Sequence, residues 1–459
     1  SAHCNSEFAQ RLFAERPIVR ARRLWHDRSQ MFRRTACRVP DCFLETALNL
    51  DSSTRSTIDI PALLAGLPTR IAEIPVLAAA RDPQHVALIE DARRLTYALL
   101  LEAVDAAAAL LREWGVRGGD RVMIVAENSI AQIVLLFATA KLDAWALVSN
   151  ARLSAAELDA IRAHAQPRVV AYAVESSVDA QQHAERHQAV KAPAITPDIG
   201  GWSYAIDANA QAEPVEAASH RQCAALIYTT GTTGAPKGVM LSHRNLLFIA
   251  AVSSRLRKVG PDDVVYAVLP ISHVYGFASV CLGSLHAGAT LRLAPRFAPE
   301  AVRRALAEER VSIFQGVPAM HAKLLEHLHT HGHTWSAPHL RFAYSGGSPL
   351  DAALKAHVES VYGLALHNGY GMTESSPTVS HTMLDAPRSD CSVGEVIPGV
   401  DVRFVGPDGV DAAAGEIGEL WVRGPNVMLG YYRNPEQTRT AVTEDGWLKT
   451  GDLARQDAD

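Results

Sequence analysis

Residues 228–238, Tyr-Thr-Thr-Gly-Thr-Thr-Gly-Ala-Pro-Lys-Gly, gather four threonine hydroxyls, three glycines and one lysine in one short segment. Thr229, Thr230, Thr232 and Thr233 supply hydroxyl donors, Gly231, Gly234 and Gly238 let backbone N–H groups approach a ligand closely, and Lys237 adds a point charge. Such a set suits a polyphosphate. It departs from the common P-loop, whose lysine follows a glycine and precedes Ser or Thr; here Pro236 and Gly238 flank Lys237. The preceding run Cys223–Tyr228 reads as a buried strand, so the loop is expected to emerge from a sheet edge.

Three later segments carry the same kind of chemistry. Tyr344-Ser-Gly-Gly-Ser-Pro349 ends an apolar run, Asn368-Gly-Tyr-Gly-Met-Thr-Glu374 follows another, and Trp447-Leu-Lys-Thr-Gly-Asp452 lies near the end of the chain. In this order, together with 228–238, they resemble the adenylate-forming superfamily of acyl-CoA synthetases, peptide-synthetase adenylation domains and firefly luciferase. The resemblance runs from about residue 61 to the C-terminus. It implies an α/β fold of two stacked α/β subdomains with mainly parallel sheets and a small antiparallel β unit. It also implies activation of a carboxylic acid by ATP to acyl-AMP, with release of pyrophosphate, followed by transfer to coenzyme A.

The same resemblance assigns roles. Thr229–Lys237 would grip the β- and γ-phosphates, Thr373 the α-phosphate, and Glu374 a Mg²⁺ ion, since a hard cation takes carboxylate oxygen. Tyr370 would stack on adenine beside Gly346 and Gly347, with Asn368, Gly369 and Gly371 completing the nucleotide site and Asp452 accepting from the ribose hydroxyls. Thr373, Glu374 and His273 are the candidate catalytic residues. His273 lies in Leu269-Pro-Ile-Ser-His-Val-Tyr-Gly-Phe277, a Pro-x-x-His-x-x-Gly segment that in acyl- and aryl-CoA synthetases stands at the mouth of the acyl pocket. No aspartate occurs in Ile271–Ser279 to pair with an amino group, and a buried ammonium without a partner is costly, so the acid should lack an α-amine. His273, Val274, Tyr275, Phe277, Val317, Ser345 and Gly347 give a mostly apolar lining that suits a fatty or aryl acid.

Family members continue through a hinge into a C-terminal domain bearing a further lysine. This sequence stops at Asp459, before the expected hinge, so that domain is expected to be absent here, and Lys449 is not its lysine. Two other readings stay open: an acyl-AMP ligase that passes its product to a carrier protein, and a nucleotide- and acid-binding fragment of weak activity.

Composition bounds the function. A net charge of −5 without a basic block argues against nucleic acid as a partner. No apolar run approaches the roughly 18 residues of a membrane span; Ile133–Ala140 is cut by Lys141 and Asp143. Six cysteines at irregular spacing show no metal or disulfide framework, which points to the cytoplasm. The oligomeric state is not legible.

These residues must be held by elements. The division expected is an extension at 1–60, a first α/β subdomain at 61–220, a second at 221–397 carrying the ATP motifs, and a small β unit at 398–459. Ser154-Ala-Ala-Glu157 is a capping box opening a helix to about Ala165, followed by a strand at 168–172. The polar stretch 178–220 reads as connecting structure. A helix is expected at 242–252, strands at 264–269, 289–293 and 311–315, a helix running to Gly288, and another from Pro299 to Arg310. Such alternation builds parallel strands with crossover helices, whose ligands sit beyond the C-terminal strand ends. After Pro398, two strands flanking the Gly-Pro-Asp-Gly turn at 406–409 suggest antiparallel pairing.

Overall fold

A computed structural model describes residues 58–230 and 236–458. Expectations for residues 1–57, and for Gly231, Thr232, Thr233 and Gly234 of the phosphate loop, lie outside the described residues.

Two large sheets and one small one carry the fold. In chain order the strands are β1 (Val86–Glu90), β2 (Arg93–Thr96), β3 (Arg121–Ala126), β4 (Trp145–Asn150), β5 (Val169–Tyr172), β6 (Val190–Lys191), β7 (Ser203–Ile206), β8 (Cys223–Thr230), β9 (Pro236–Ser242) and β10 (Val264–Ala267). They continue with β11 (Thr290–Leu293), β12 (Ile313–Gly316), β13 (Phe342–Ser345), β14 (Leu366–Gly371), β15 (Thr378–His381), β16 (Glu395–Val396), β17 (Asp401–Val405), β18 (Gly418–Arg423), β19 (Gly430–Tyr431) and β20 (Leu448–Ala454). One sheet has the order β16-β15-β14-β13-β12-β10-β11-β1-β2, the other β19-β9-β8-β4-β3-β5-β7-β6, and β17-β18-β20 form the small antiparallel sheet. The central strands of both large sheets run parallel, as the apolar runs imply: every residue of Arg-Val-Met-Ile-Val-Ala in β3 is buried.

Between the large sheets lies the helix Ile130–Lys141, which contacts β3 and β4 on one side and β1 on the other. Apart from Lys141 it is buried all round, which is why its sequence shows an unbroken apolar run rather than a stripe. Its first turn is satisfied by Ser129, whose Oγ accepts from the Gln132 N–H at 3.3 Å, and by the Glu90 carboxylate, which accepts from the Ile130 N–H at 2.8 Å. Asn128, just before it, reaches into the other sheet: its Nδ2 donates to the carbonyls of Ala267 and Leu269 at 2.9 Å each, and its Oδ1 accepts from the Ile271 N–H at 2.9 Å.

Several expectations agree with these elements. The capping box at Ser154 and Glu157 is present and its helix spans Ala155–Ala165; the helix after β9 spans His243–Leu256, opened by reciprocal bonds between Ser242 and Asn245. Three differ. The stretch 178–220 holds the helix Val178–Arg186 and the strands β6 and β7, because β7 completes its pairing with β5, a partner that local polarity does not reveal. The expected helix to Gly288 starts as a π-helix over Tyr275–Leu282 before the α-helix Gly283–Ala287. The sheets also do not divide at residue 220: β1 and β2 belong with the strands after 264, while β8 and β9 join β3–β7. Strand pairing between distant segments decides that, and a linear division cannot show it.

Candidate active site

The parallel strands β12, β13 and β14 end side by side, with Gly316 opposite Ser345 and Ser345 opposite Asn368. Their C-terminal ends therefore present Val317, Gly346-Gly347 and Gly369–Gly371 along one crevice, where open α/β sheets bind ligands. Gly347 adopts φ +80°, a left-handed conformation natural to glycine, and a Cβ placed there would meet Val317 at 3.7 Å. Gly371 is needed for closeness: a Cβ there would lie 2.0 Å from the Pro377 carbonyl oxygen.

Thr373 and Glu374 sit in the 3₁₀ turn Thr373–Ser375 that follows β14. Glu374 is buried; its Oε1 accepts from the Tyr431 hydroxyl at 2.8 Å, and its backbone carbonyl accepts from the Met428 N–H at 2.9 Å. Tyr431 belongs to β19, which pairs antiparallel with β9, so the segment bearing Glu374 is tied to the strand bearing Lys237. The Lys237 ammonium stands 5.4 Å from the centre of the Tyr431 ring. Lys237 thus lies in a strand rather than in the loop proper, and Thr229 and Thr230 close the facing strand β8.

Asp452 lies within β20, and its Oδ2 accepts from the Tyr370 hydroxyl at 2.6 Å. Burial of the ring and the adjacent carboxylate together raise the Tyr370 pKa well above the ordinary phenol value. Asn368 turns inward, its Nδ2 donating to the carbonyls of Cys391 and Ser392 at 3.1 and 3.3 Å. Its side chain therefore fixes the loop behind the strand.

His273 is exposed at the turn before the π-helix, where crowding by neighbouring atoms and the charge of Arg152 lower its pKa. The Asn128 side chain holds that turn through Leu269 and Ile271, as described above. Gly276 permits the turn, since a Cβ there would meet the Pro270 carbonyl oxygen at 2.2 Å. Of the expected lining, Val274 is buried at 6% exposure and Phe277 and Ser345 at 0%, so Phe277 acts as core beneath the site. Tyr275 and Tyr344 lie close together, their ring centres 6.0 Å apart at 64°. A Cβ on Gly346 would meet the Tyr344 ring at 3.1 Å and the Tyr275 ring at 3.3 Å. A separate depression of about 370 Å³, lined by Leu63, Leu67, Ala251, Arg255 and His286 among others, contains none of these residues.

Sequence reasoning missed Tyr431, which carries only a faint signal, an aromatic pair after a glycine.

Comparison with known proteins accords with this geometry. The family model described as "AMP-binding enzyme" matches residues 77–432. The chain belongs to the AMP-binding enzyme family. A feruloyl-CoA synthase from an Amycolatopsis species is 35% identical over 388 residues, covering 84% of this chain and 76% of that protein. The human mitochondrial malonate–CoA ligase is 30% identical over 463 residues, covering 92% and 78%. Among solved structures, the N-terminal domain of FACL13 from Mycobacterium tuberculosis superposes with a TM-score of 0.72 at 27% identity, covering 85% of this chain and 97% of that one. As an AMP-binding enzyme with CoA-ligase relatives, the protein is an acid–thiol ligase that uses ATP, Mg²⁺ and coenzyme A. Among the described residues no helix is long and apolar enough to cross a membrane.

Proposed function

We propose that the residues gathered at the ends of β12–β14 carry out the two half-reactions of a carboxylate–CoA ligase. In the first, a carboxylate oxygen attacks the α-phosphorus of ATP and pyrophosphate leaves. In the second, the CoA sulfur attacks the acyl carbonyl and AMP leaves. Lys237 and the threonines of the phosphate loop hold the outgoing phosphates, Thr373 holds the α-phosphate, and His273 orients the acid at the pocket mouth. Asp452 takes the ribose hydroxyls, exchanging its bond from Tyr370 for bonds from the sugar. Glu374 fits a Mg²⁺ site, because its carboxylate is buried beside the nucleotide motifs and is bonded there by one neutral hydroxyl rather than by a cation. The metal supplies charge neutralisation on the phosphates when bound.

The observation that carries this reading is the convergence of Lys237, Glu374, Tyr370 and Asp452 through Tyr431 and the β14 end, drawn from four separate segments. Such placement of charge and donors suits a reaction whose catalysis is positioning and electrostatic stabilisation. The test is release of AMP from ATP on addition of CoA and a carboxylic acid. Formation of ADP instead, or AMP release that ignores CoA, would refute it. The relatives' named acids differ in the tail, one ending in a neutral aryl group and the other in a second carboxylate. A cytoplasmic location is part of the same proposal, supported by the free thiols of Cys223, Cys281 and Cys391. The net charge of −5 supports the absence of nucleic acid among its partners.

A further inference from the structure

The wall of the acyl site behind Gly346 and Gly369 is not apolar. Tyr344 lies across both glycines: its ring edge comes within 3.1 Å of a Cβ on Gly346, and its hydroxyl within 1.9 Å of a Cβ on Gly369. The guanidinium carbon of Arg257 stands 4.8 Å from the centre of that ring. Arg257 caps the C-terminal end of the helix His243–Leu256 and is 2% exposed. Its Nε and Nη1 have no hydrogen-bond partner, and neither does the Tyr275 hydroxyl. Among the described residues Arg257 forms no ion pair; Asp263, which follows in the chain, is held by Arg341 at 2.6 Å and by Ser312 at 2.7 Å.

A buried guanidinium without a counter-charge is among the most costly arrangements in a protein interior. Stacking on Tyr344 and a side-chain hydrogen bond to it offset part of that cost but leave Nε and Nη1 unused. The nearby His381 brings no anion and no second cation. Its Nδ1 bonds the Thr382 carbonyl at 2.7 Å, so Nδ1 carries the hydrogen, and burial together with Arg257 holds its pKa down at about 3. Arg257 is therefore a buried charge with two unused donors, separated from Gly346 and Gly369 by the Tyr344 ring.

We infer that the acid activated here is short and ends in a second carboxylate, which is seated on Arg257 and the Tyr275 hydroxyl. Tyr344, lying across the strand ends, limits the length of the tail. The inference rests on the acid-activating function proposed above and adds a charged end to the acid, where the apolar lining alone suggested a fatty or aryl tail.

Calorimetry with the chain and MgATP tests it, using malonate, succinate and glutarate against their monomethyl esters, which keep the length and remove the charge. At least one diacid should bind about tenfold or more tighter than its ester, the scale of one charge-assisted contact. Arg257→Met should abolish that preference while leaving MgATP affinity within about twofold, and Arg257→Lys should keep part of it. Esters binding as well as every diacid, or an unchanged preference in Arg257→Met, would overturn the inference while leaving acid activation intact. Failure of every acid to bind when MgATP does would overturn both. If Arg257→Met does not fold, the ratio in the unaltered chain and in Arg257→Lys decides.

Discussion

The rim of the site and its floor are built on opposite principles. At the rim, Glu374, Asp452 and Lys237 each already contact a tyrosine of another segment: Tyr431, Tyr370 and Tyr431 again. At the floor, Arg257 and the Tyr275 hydroxyl are buried with donors that no protein group takes up. A partnered polar group is stable without ligand and must exchange its bond on binding, whereas an unpartnered buried donor makes the empty state costly and the occupied one favourable. The rim is therefore suited to a substrate that comes and goes at little cost, and the floor to discrimination. A site that lacks one expected acceptor rejects analogues more strongly than a site that merely fits them.

The contrast can be broken at its strongest point first. Glu374→Gln keeps the shape and the bond from Tyr431 but removes the charge offered to the metal. Acyl-AMP formation in single-turnover assays should fall by about 10²–10³; a loss under tenfold would show that the metal is held elsewhere. Lys237→Ala should weaken ATP binding by about 1.5–3 kcal/mol in calorimetry, the range for a charged hydrogen bond. Unchanged affinity would remove Lys237 from the phosphate site.

Acid should act on buried groups and spare the rim. Burial and nearby arginines hold the pKa of His243 and of His381 at about 3 and that of His286 at about 4; burial alone takes His321 to about 4. These folded-state values lie below the unfolded value of about 6.5, so the unfolded chain takes up protons first. The contribution to stability is complete above about pH 6.5 and is lost as pH falls toward the folded values, at about 2 kcal/mol per histidine by pH 5. His243 shows the cause, since its Nδ1 accepts from the Ile71 N–H at 3.1 Å and cannot do so once protonated. Melting at pH 7.5 and pH 5 should differ strongly, and His243→Gln, which keeps an acceptor, should flatten the difference. An equal slope in that variant would exclude His243.

The smallest effect belongs to Tyr431→Phe, which keeps the ring near Lys237 and removes the bond to Glu374. Stability without nucleotide should drop by about 0.5–1.5 kcal/mol, and by less with MgATP bound, where Glu374 has another partner. An identical drop in both conditions would mean that Glu374 keeps Tyr431 when nucleotide is present.

What could be read from the sequence follows the same division. The motifs at 344–349, 368–374 and 447–452 declared themselves because glycines and small hydroxyl residues cluster where a backbone must approach a ligand. The capping box at Ser154 and the strand at 223–228 were legible because they depend on local spacing alone. The far end of the acid site is less legible, because an apolar count of Val274, Tyr275, Phe277 and Val317 says nothing about an arginine placed beside Tyr344 by the end of a distant helix. Strand order failed for a related reason: β1 and β11 pair across about two hundred residues, and no periodicity within either reports the other.

Asn128 has a practical consequence for anyone exchanging parts between these ligases. The turn that presents His273 is fastened by a side chain from the opposite sheet, some 140 residues earlier in the chain. Grafting residues 269–277 from a relative would thus transplant half of a joint. Chimeras that carry the donor's segment around residue 128 as well should inherit its acid preference cleanly, and those that do not should show blurred selectivity traceable to a loosened hinge rather than to the grafted residues themselves.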